Sequence, residues 1–158
     1  MTAEIRLVEV TDANRDAVIA VRLRPDQEQF VASVEKSFQH AEQYPDAKPW
    51  YRAVYAGDEP VGFVMLSWNL VPGPGFRGPY FLWRLLVGAE HQGRGYGTAI
   101  LDEVVTLLRA EGAKELLTSY VPEEGSPEPF YRGYGFVPTG EVDEDGEVIL
   151  TLDLTTRP

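Results

Sequence analysis

The chain has 158 residues, an ordinary size for one domain, and we expect residues 1–158 to form a single domain. Its hydrophobic content of 44% and charged content of 25% are typical of a soluble globular protein. It has no cysteine, which excludes disulfides, thiolate metal sites and a cysteine nucleophile. With only His40 and His91, a multi-histidine metal site is excluded as well, so we expect no metal.

The formal net charge of -11 argues against a nucleic-acid partner, because phosphate binding requires a basic face. The acidity favours a cationic substrate, although it also serves solubility alone. No stretch approaches the roughly 18 apolar residues of a membrane span, and the first residues do not resemble a signal peptide. We therefore expect a cytoplasmic protein that does not bind membranes.

The predicted elements alternate between strands and helices. The patterns predict strands at 5–10, 50–56, 61–68, 80–87, 115–121, 136–142 and 147–154, and helices from Asp12 or Asn14 to Val21 and at 25–43, 98–110 and 127–134. The proline- and glycine-rich stretch 71–79 is predicted to be a loop. Strand 80–87 is almost continuously apolar, which predicts burial on both faces at the centre of the sheet. This order describes a mixed α/β sheet with a parallel crossover around the long helix.

A glycine-rich loop at 92–97 separates this central strand from the long helix. Glycine permits positive φ and close approach of backbone N–H groups to a ligand, and a helix start favours negative charge. A diphosphate fits both features, whereas the alternative is a flexible turn without a ligand. The loop lacks the lysine of a P-loop and comes too late in the chain for a dinucleotide fold.

Local charge supports an anion at this loop. Between residues 77 and 97 the charged side chains are Arg77, Arg84, Glu90 and Arg94, a net +2, so the rest of the chain carries -13. An anionic ligand would be repelled by most of the protein but not by this strip.

Two segments resemble the GNAT superfamily of N-acetyltransferases. Residues 85–97, LLVGAEHQGRGYG, are similar to its acetyl-CoA motif, Gln/Arg-x-x-Gly-x-Gly/Ala, and residues 130–136, FYRGYGF, to its Tyr-x-x-x-Gly-Phe element. The two lie at the family's usual separation, and the resemblance covers about 5–154. Within the superfamily, residues 83–85, 119–120 and 139–141 look like the bacterial spermine/spermidine acetyltransferases.

The resemblance implies an α/β fold with a mixed, mostly antiparallel sheet of about six to seven strands and about four helices, splayed at the acetyl-CoA site. It implies direct acetyl transfer from acetyl-CoA to an amine. Tyr131 would protonate the departing sulfur, and the N–H of Leu86 or Val87 would polarise the carbonyl. Acetyl-CoA would be bound by Leu85, Leu86, Val87, Gln92, Gly93, Arg94, Gly95, Tyr96, Gly97 and Thr98.

The acceptor side is less constrained by the sequence. Glu28, Glu35 and Glu141 are candidates for the base that deprotonates the amine, with solvated surface acids as the alternative. Arg84 inside an apolar strand would either pair with an acid or point into the substrate cleft. We therefore expect Arg84, Glu35 and Glu141 to contact substrate, and His91 to be an exposed turn residue.

The chain departs from the family pattern at Glu124, where the family often has an asparagine that contacts the pantetheine arm. Glu123 and Glu124 would face substrate instead. Trp68 and the loop 71–79 would either cover the cleft or form a homodimer contact. The expected acceptor is a small cationic amine such as a polyamine; the alternatives are a protein, peptide or aminoglycoside acceptor, or a sensor that binds acyl-CoA without catalysis.

Overall fold

The computed structural model describes residues 4–28, 31–71, 73 and 77–155, and their strands form one seven-stranded sheet. In chain order the elements are β1 Arg6–Val8, α1 Arg15–Ile19, α2 Val34–Gln43, β2 Pro49–Ala56, β3 Glu59–Ser67, β4 Phe81–Val87, α3 Tyr96–Ala110, β5 Glu115–Tyr120, α4 Glu128–Tyr134, β6 Val137–Val142 and β7 Val148–Asp153. The spatial strand order is β1-β2-β3-β4-β5-β7-β6. Every neighbouring pair is antiparallel except β4 and β5, which are joined by the predicted crossover through α3. The predicted fold class is confirmed.

Each face of the sheet is covered by its own helices. On one face, α3 and α4 bury side chains such as Ile100, Val104 and Tyr131 against the sheet. On the other face, α1 and α2 contribute Val18, Val34 and Phe38 to a second cluster. This layering places the central strand β4 between two apolar layers. The ends of the neighbouring strands are left free to form the candidate active site.

The strands β4 and β5 part soon after they begin. They pair only at Phe81↔Leu117 and Leu82↔Thr118. A β-bulge at Trp83 follows, because Met65 of β3 pairs with Arg84 while Leu66 pairs with Leu82. A bulge bends and twists its strand. The rest of β4 therefore has no strand partner on its β5 side, which opens the sheet.

Three local predictions are wrong. The helix predicted at 25–43 is instead a 3-10 turn, Pro25–Gln27, and the later helix α2, which begins when Ser33 caps the N–H of Lys36 at 3.1 Å. Residues 29 and 30 of that span lie outside the described residues. The first strand is shorter than predicted. Strand β4 is not buried throughout, because only Leu82 and Leu86 are fully buried where it borders the opening.

In the described part of the chain, no helix is both long and apolar enough to cross a membrane.

Candidate active site

The opening between β4 and β5 widens into a cleft of about 890 Å³. Its walls come from parts of the chain that are distant in sequence: α2 and the residues before it, the end of β3, the loop 71–79, β4, the β5–α4 segment and the turn between β6 and β7. The polar and aromatic lining includes His40, Trp83, Arg84, Ser119, Tyr131, Asp143, Glu144, Asp145 and Glu147, and Leu85 also lines the cleft. The cleft thus contains both the predicted acid, Tyr131, and a group of carboxylates.

The glycine-rich loop has the geometry that an anion cradle requires. Gly93 and Gly95 adopt positive φ, 79° and 84°, and a Cβ added to either would meet no heavy atom within 4 Å. Gly95 is the N-cap of α3 and, among the described residues, no side chain caps that turn. The first N–H groups of a 15-residue helix therefore face open space. Of the predicted cofactor residues, Arg94 and Thr98 are exposed here, and Tyr96 and Gly97 are half-buried.

Gln92 is fixed from inside the protein. Its amide nitrogen donates to the carbonyl of Val87 at 2.9 Å and to Gln27 Oε1 at 2.8 Å, and Gln27 Nε2 donates back to Gln92 Oε1 at 3.1 Å. Gln92 therefore ties the loop to the end of β4 and to the segment before α2. Its side-chain amide is thus engaged within the protein.

The predicted pantetheine contacts lie on the open edge of β4. Leu85, Leu86 and Val87 pair with β3 on one side, through Val64, Phe63 and Gly62. On the other side, β5 has already diverged. Backbone groups on that edge are available to an extended ligand, in the way that a peptide adds to a sheet edge.

Tyr131 lies on α4 and is almost completely buried, with 6% of its surface exposed, yet it borders the cleft. Burial raises the pKa of its hydroxyl to about 12, whereas a hydrogen bond with Thr118 and the charge of Arg84 lower it. The hydroxyl is therefore fully protonated at neutral pH and close to a fixed positive charge, as a proton donor requires.

Arg84 points into the cleft and has no ion-pair partner within 4 Å among the described residues. It donates to the carbonyl of Trp83 at 2.9 Å and bonds to His40 Nδ1 at 2.9 Å, while its buried Nε lacks a partner in that part of the chain. Burial lowers the pKa of His40, and Arg84 and Lys36 lower it further. His40 is thus neutral and accepts the bond from Arg84.

The structure places the predicted bases away from Tyr131. Glu28 and Glu35 line a separate cavity of about 90 Å³ beside α1. Glu141 is exposed and forms an ion pair with Arg77. Glu124 is exposed in the turn before α4.

Two further side chains have surroundings that differ from those expected. His91 is not an exposed turn residue: only 13% of its side chain is exposed, and its Nε2 lies 3.4 Å from Glu59 Oε1. Trp68 packs against the rings of Trp50 and Tyr80.

Gly73 and Arg77 of the loop 71–79 line the cleft, whereas Pro72 and residues 74–76 lie outside the described residues.

The structure brings Glu147, Asp143 and Ser119 into the site, and none of them was assigned an individual role from the sequence. Ser119 Oγ donates to Glu147 Oε1 at 3.1 Å, because β7 pairs with β5 and places them side by side. Oxygens of Asp143, Asp145 and Glu147 all lie within 4.8 Å of one another. The signal in the sequence was the run of five acids at 141–147, at the junction of the strands predicted at 136–142 and 147–154.

Comparison with known proteins agrees with this geometry. The family model described as "Acetyltransferase (GNAT) family" matches residues 9–136. A spermine/spermidine N(1)-acetyltransferase of Bacillus subtilis (strain 168) is 27% identical over 154 residues, which cover 95% of this chain and 99% of that protein. The chain belongs to the GNAT acetyltransferase family.

Solved structures show the same fold. An acetyltransferase from Thermus thermophilus superimposes with a TM-score of 0.73 at 20% identity, covering 97% of this chain and 99% of that one. An aminoglycoside acetyltransferase in complex with coenzyme A has a TM-score of 0.74 at 17% identity, covering 95% of each chain. The protein is an acetyl-CoA-dependent N-acetyltransferase.

The residues present fit acetyl-CoA. The uncapped start of α3 and the open space beside Gly93 and Gly95 suit its diphosphate, and the free edge of β4 suits its extended arm. When bound, acetyl-CoA supplies the thioester from which the acetyl group is transferred. The chain itself provides the glycine-rich loop at 92–97 as the anion cradle, the free edge of β4 and the cleft wall that contains Tyr131.

Proposed function

We propose that this enzyme transfers the acetyl group to a primary amine of a small cationic acceptor, with a polyamine as the preferred class. One observation carries the proposal: Asp143, Asp145 and Glu147 converge on the cleft that also contains Tyr131. Clustered carboxylates in a partly desolvated cleft attract a multiply charged cation more strongly than isolated surface acids do.

Two further facts support a polycation. The net charge of -11 would concentrate cationic ligands near the protein. The relative from Bacillus subtilis named as a spermine/spermidine acetyltransferase matches almost the full length of both chains. Polyamines carry several amines, so one can react while another is held by the carboxylates.

We further propose a role for each site residue. Leu85, Leu86 and Val87 hold the arm of acetyl-CoA through their backbone, and an N–H of Leu86 or Val87 polarises the thioester carbonyl. Gln92, Gly93, Arg94, Gly95, Tyr96, Gly97 and Thr98 hold the diphosphate. Tyr131 gives its proton to the departing sulfur.

The test is release of free thiol from acetyl-CoA with a panel of acceptors: spermidine, spermine, putrescine, a simple alkyl monoamine, an aminoglycoside and short peptides. We expect the highest kcat/KM with spermidine or spermine, and at least tenfold lower values with monoamines, because a second charge contributes about 1–2 kcal/mol beside carboxylates. Faster turnover of peptides than of spermidine would contradict the polyamine proposal.

The panel also separates the alternatives. Preferred turnover of the aminoglycoside would assign the acidic cluster to a polycationic antibiotic instead. Binding of coenzyme A without turnover of any amine would identify a sensor rather than an active enzyme.

A cytoplasmic location and a homodimer both stay predictions.

A further inference from the structure

We propose that Glu147 is the base that takes the proton from the reacting ammonium group. This inference rests on the proposed function, because it requires that the cleft accept an amine. It assigns a catalytic role to a residue outside both family motifs.

The position of Glu147 is set by strand pairing. It directly precedes β7, in which Val148 pairs with Tyr120 and Ile149 with Ser119 of β5. The Ser119 hydroxyl holds Oε1 at 3.1 Å. No hydrogen bond within the described residues uses Oε2, so one carboxylate oxygen is anchored while the other is free to meet a ligand in the cleft.

The surroundings of Glu147 make it a stronger base than a surface glutamate. Burial raises the pKa of its carboxyl, the Ser119 hydrogen bond lowers it, Asp143 and Asp145 raise it, and Arg84 lowers it, with a net rise. An alkylammonium with a pKa near 10.4 is neutral in only roughly one molecule in a few thousand at pH 7, so the reaction needs an acceptor for that proton. A raised carboxyl pKa brings the two groups closer in proton affinity.

The other ionisable groups of the cleft suit this task less well. Asp143 Oδ1 is occupied by the N–H groups of Asp145 and Glu147, both at 2.9 Å. Asp145 and Glu144 are exposed. His40 already accepts a bond from Arg84, and that guanidinium opposes a second positive charge on the ring.

The proton balance is complete without another reactant. The ammonium gives one proton to Glu147, which passes it to solvent through the open cleft. The nitrogen lone pair then forms the C–N bond while the C–S electron pair leaves with the sulfur. The nitrogen then loses a second proton to Glu147, and the sulfur gains a proton from the hydroxyl of Tyr131. The second proton from the nitrogen restores that hydroxyl. The products are an N-acetyl amide, a thiol and one proton in solution.

The experiment compares Glu147→Gln, Glu147→Asp and the control Glu103→Gln, an exposed residue of α3, across pH 6 to 10 with spermidine. Glutamine keeps the shape and can still accept from Ser119, so the fold should persist; thermal unfolding and coenzyme A binding check this. We expect about a hundredfold lower kcat at pH 7 in Glu147→Gln, partial recovery in Glu147→Asp, and no change in Glu103→Gln.

The dependence of kcat on pH is the measurement that distinguishes a base from a merely structural residue. In the wild type, kcat should be nearly independent of pH wherever Glu147 is ionised, because the carboxylate then takes the proton from the bound ammonium. The groups that face this carboxyl are Asp143, Asp145, Ser119 and Arg84. In Glu147→Gln only free amine reacts, so kcat should climb about tenfold per pH unit towards the pKa of the amine. Calorimetry of spermidine with the cofactor-free protein should show about tenfold weaker binding in Glu147→Gln.

Two outcomes would overturn the inference. An unchanged kcat and pH profile in Glu147→Gln, beside an active wild type, would remove Glu147 from proton transfer while leaving the proposed function intact. A wild type that acetylates no amine at all would overturn the proposed function and this inference together.

Discussion

Tyr131 combines burial with a place in the cleft wall. Its pKa of about 12 lies well above the value near 8.5 of an ordinary thiol, so full transfer of its proton to a free thiolate is uphill by about 5 kcal/mol. The transfer becomes feasible if it accompanies C–S cleavage, and the value of about 12 already includes the lowering by Arg84 and by the hydrogen bond with Thr118. Burial therefore keeps the proton available and also makes its release depend on these two neighbours.

We predict that Tyr131→Phe keeps the affinity for coenzyme A but lowers kcat tenfold or more, because the ring remains packed while the donated proton is lost. Steady-state kinetics and calorimetry measure the two quantities. Tyr134→Phe on the same helix is the matched control, since its hydroxyl bonds to Asp102 at 2.7 Å outside the cleft. An equal loss in both variants would indicate damage to α4 rather than a role in proton transfer.

At the scale of elements, the position of β4 depends on a close contact with β3. A Cβ added to Gly62 would lie 2.4 Å from the carbonyl oxygen of Leu86 and 3.6 Å from Ile100 Cδ1. The obstructing atom belongs to the backbone, so β4 itself would have to move. The residues that would move, Leu86 and Val87, are those proposed to bind acetyl-CoA.

Gly62→Ala should lower the free energy of unfolding by about 1–3 kcal/mol, the usual cost of overpacking, and should also weaken acetyl-CoA binding. Denaturant titration and calorimetry provide the two values. Gly133→Ala serves as the control, because it lies in α4 and its added Cβ meets no heavy atom within 4 Å. If Gly62→Ala were as stable as the wild type, β4 would not depend on this contact.

Local patterns were sufficient to predict most elements and the glycine-rich loop before α3. The strand–loop–helix order at 80–110 and the two last strands, predicted at 136–142 and 147–154, depend on neighbouring residues, and both are found where predicted. Glu147 could not be found in this way. Its role depends on the pairing of β7 with β5, which places it beside Ser119 from 28 residues earlier. The start of α2 was predicted wrongly for a related reason, because the cap at Ser33 competed with an equally plausible helix start at Pro25.

At the scale of the whole molecule, the two substrates experience opposite electrostatic conditions. The chain carries -11, yet the strip at 77–97 carries +2. The field should attract a polyamine from a distance and oppose acetyl-CoA everywhere except near that strip.

Raising the salt concentration should therefore affect the substrates differently. Between about 10 and 200 mM salt the Debye length falls from about 30 Å to below 10 Å. We expect kcat/KM for spermidine to fall severalfold, kcat/KM for a monoamine to fall less, and kcat/KM for acetyl-CoA to change little or increase. Initial rates at matched pH test this, and equal losses for the triamine and the monoamine would contradict electrostatic attraction of the polycation.

The paired amides of Gln27 and Gln92 bear on how quickly the enzyme can engage acetyl-CoA. Gln92 also holds the carbonyl of Val87, so the loop, the end of β4 and the segment before α2 are already joined in the free protein. A cradle that is formed in advance loses little conformational freedom when its ligand arrives. Association should then resemble docking onto a rigid surface, with affinity differences among loop variants appearing mainly as differences in residence time.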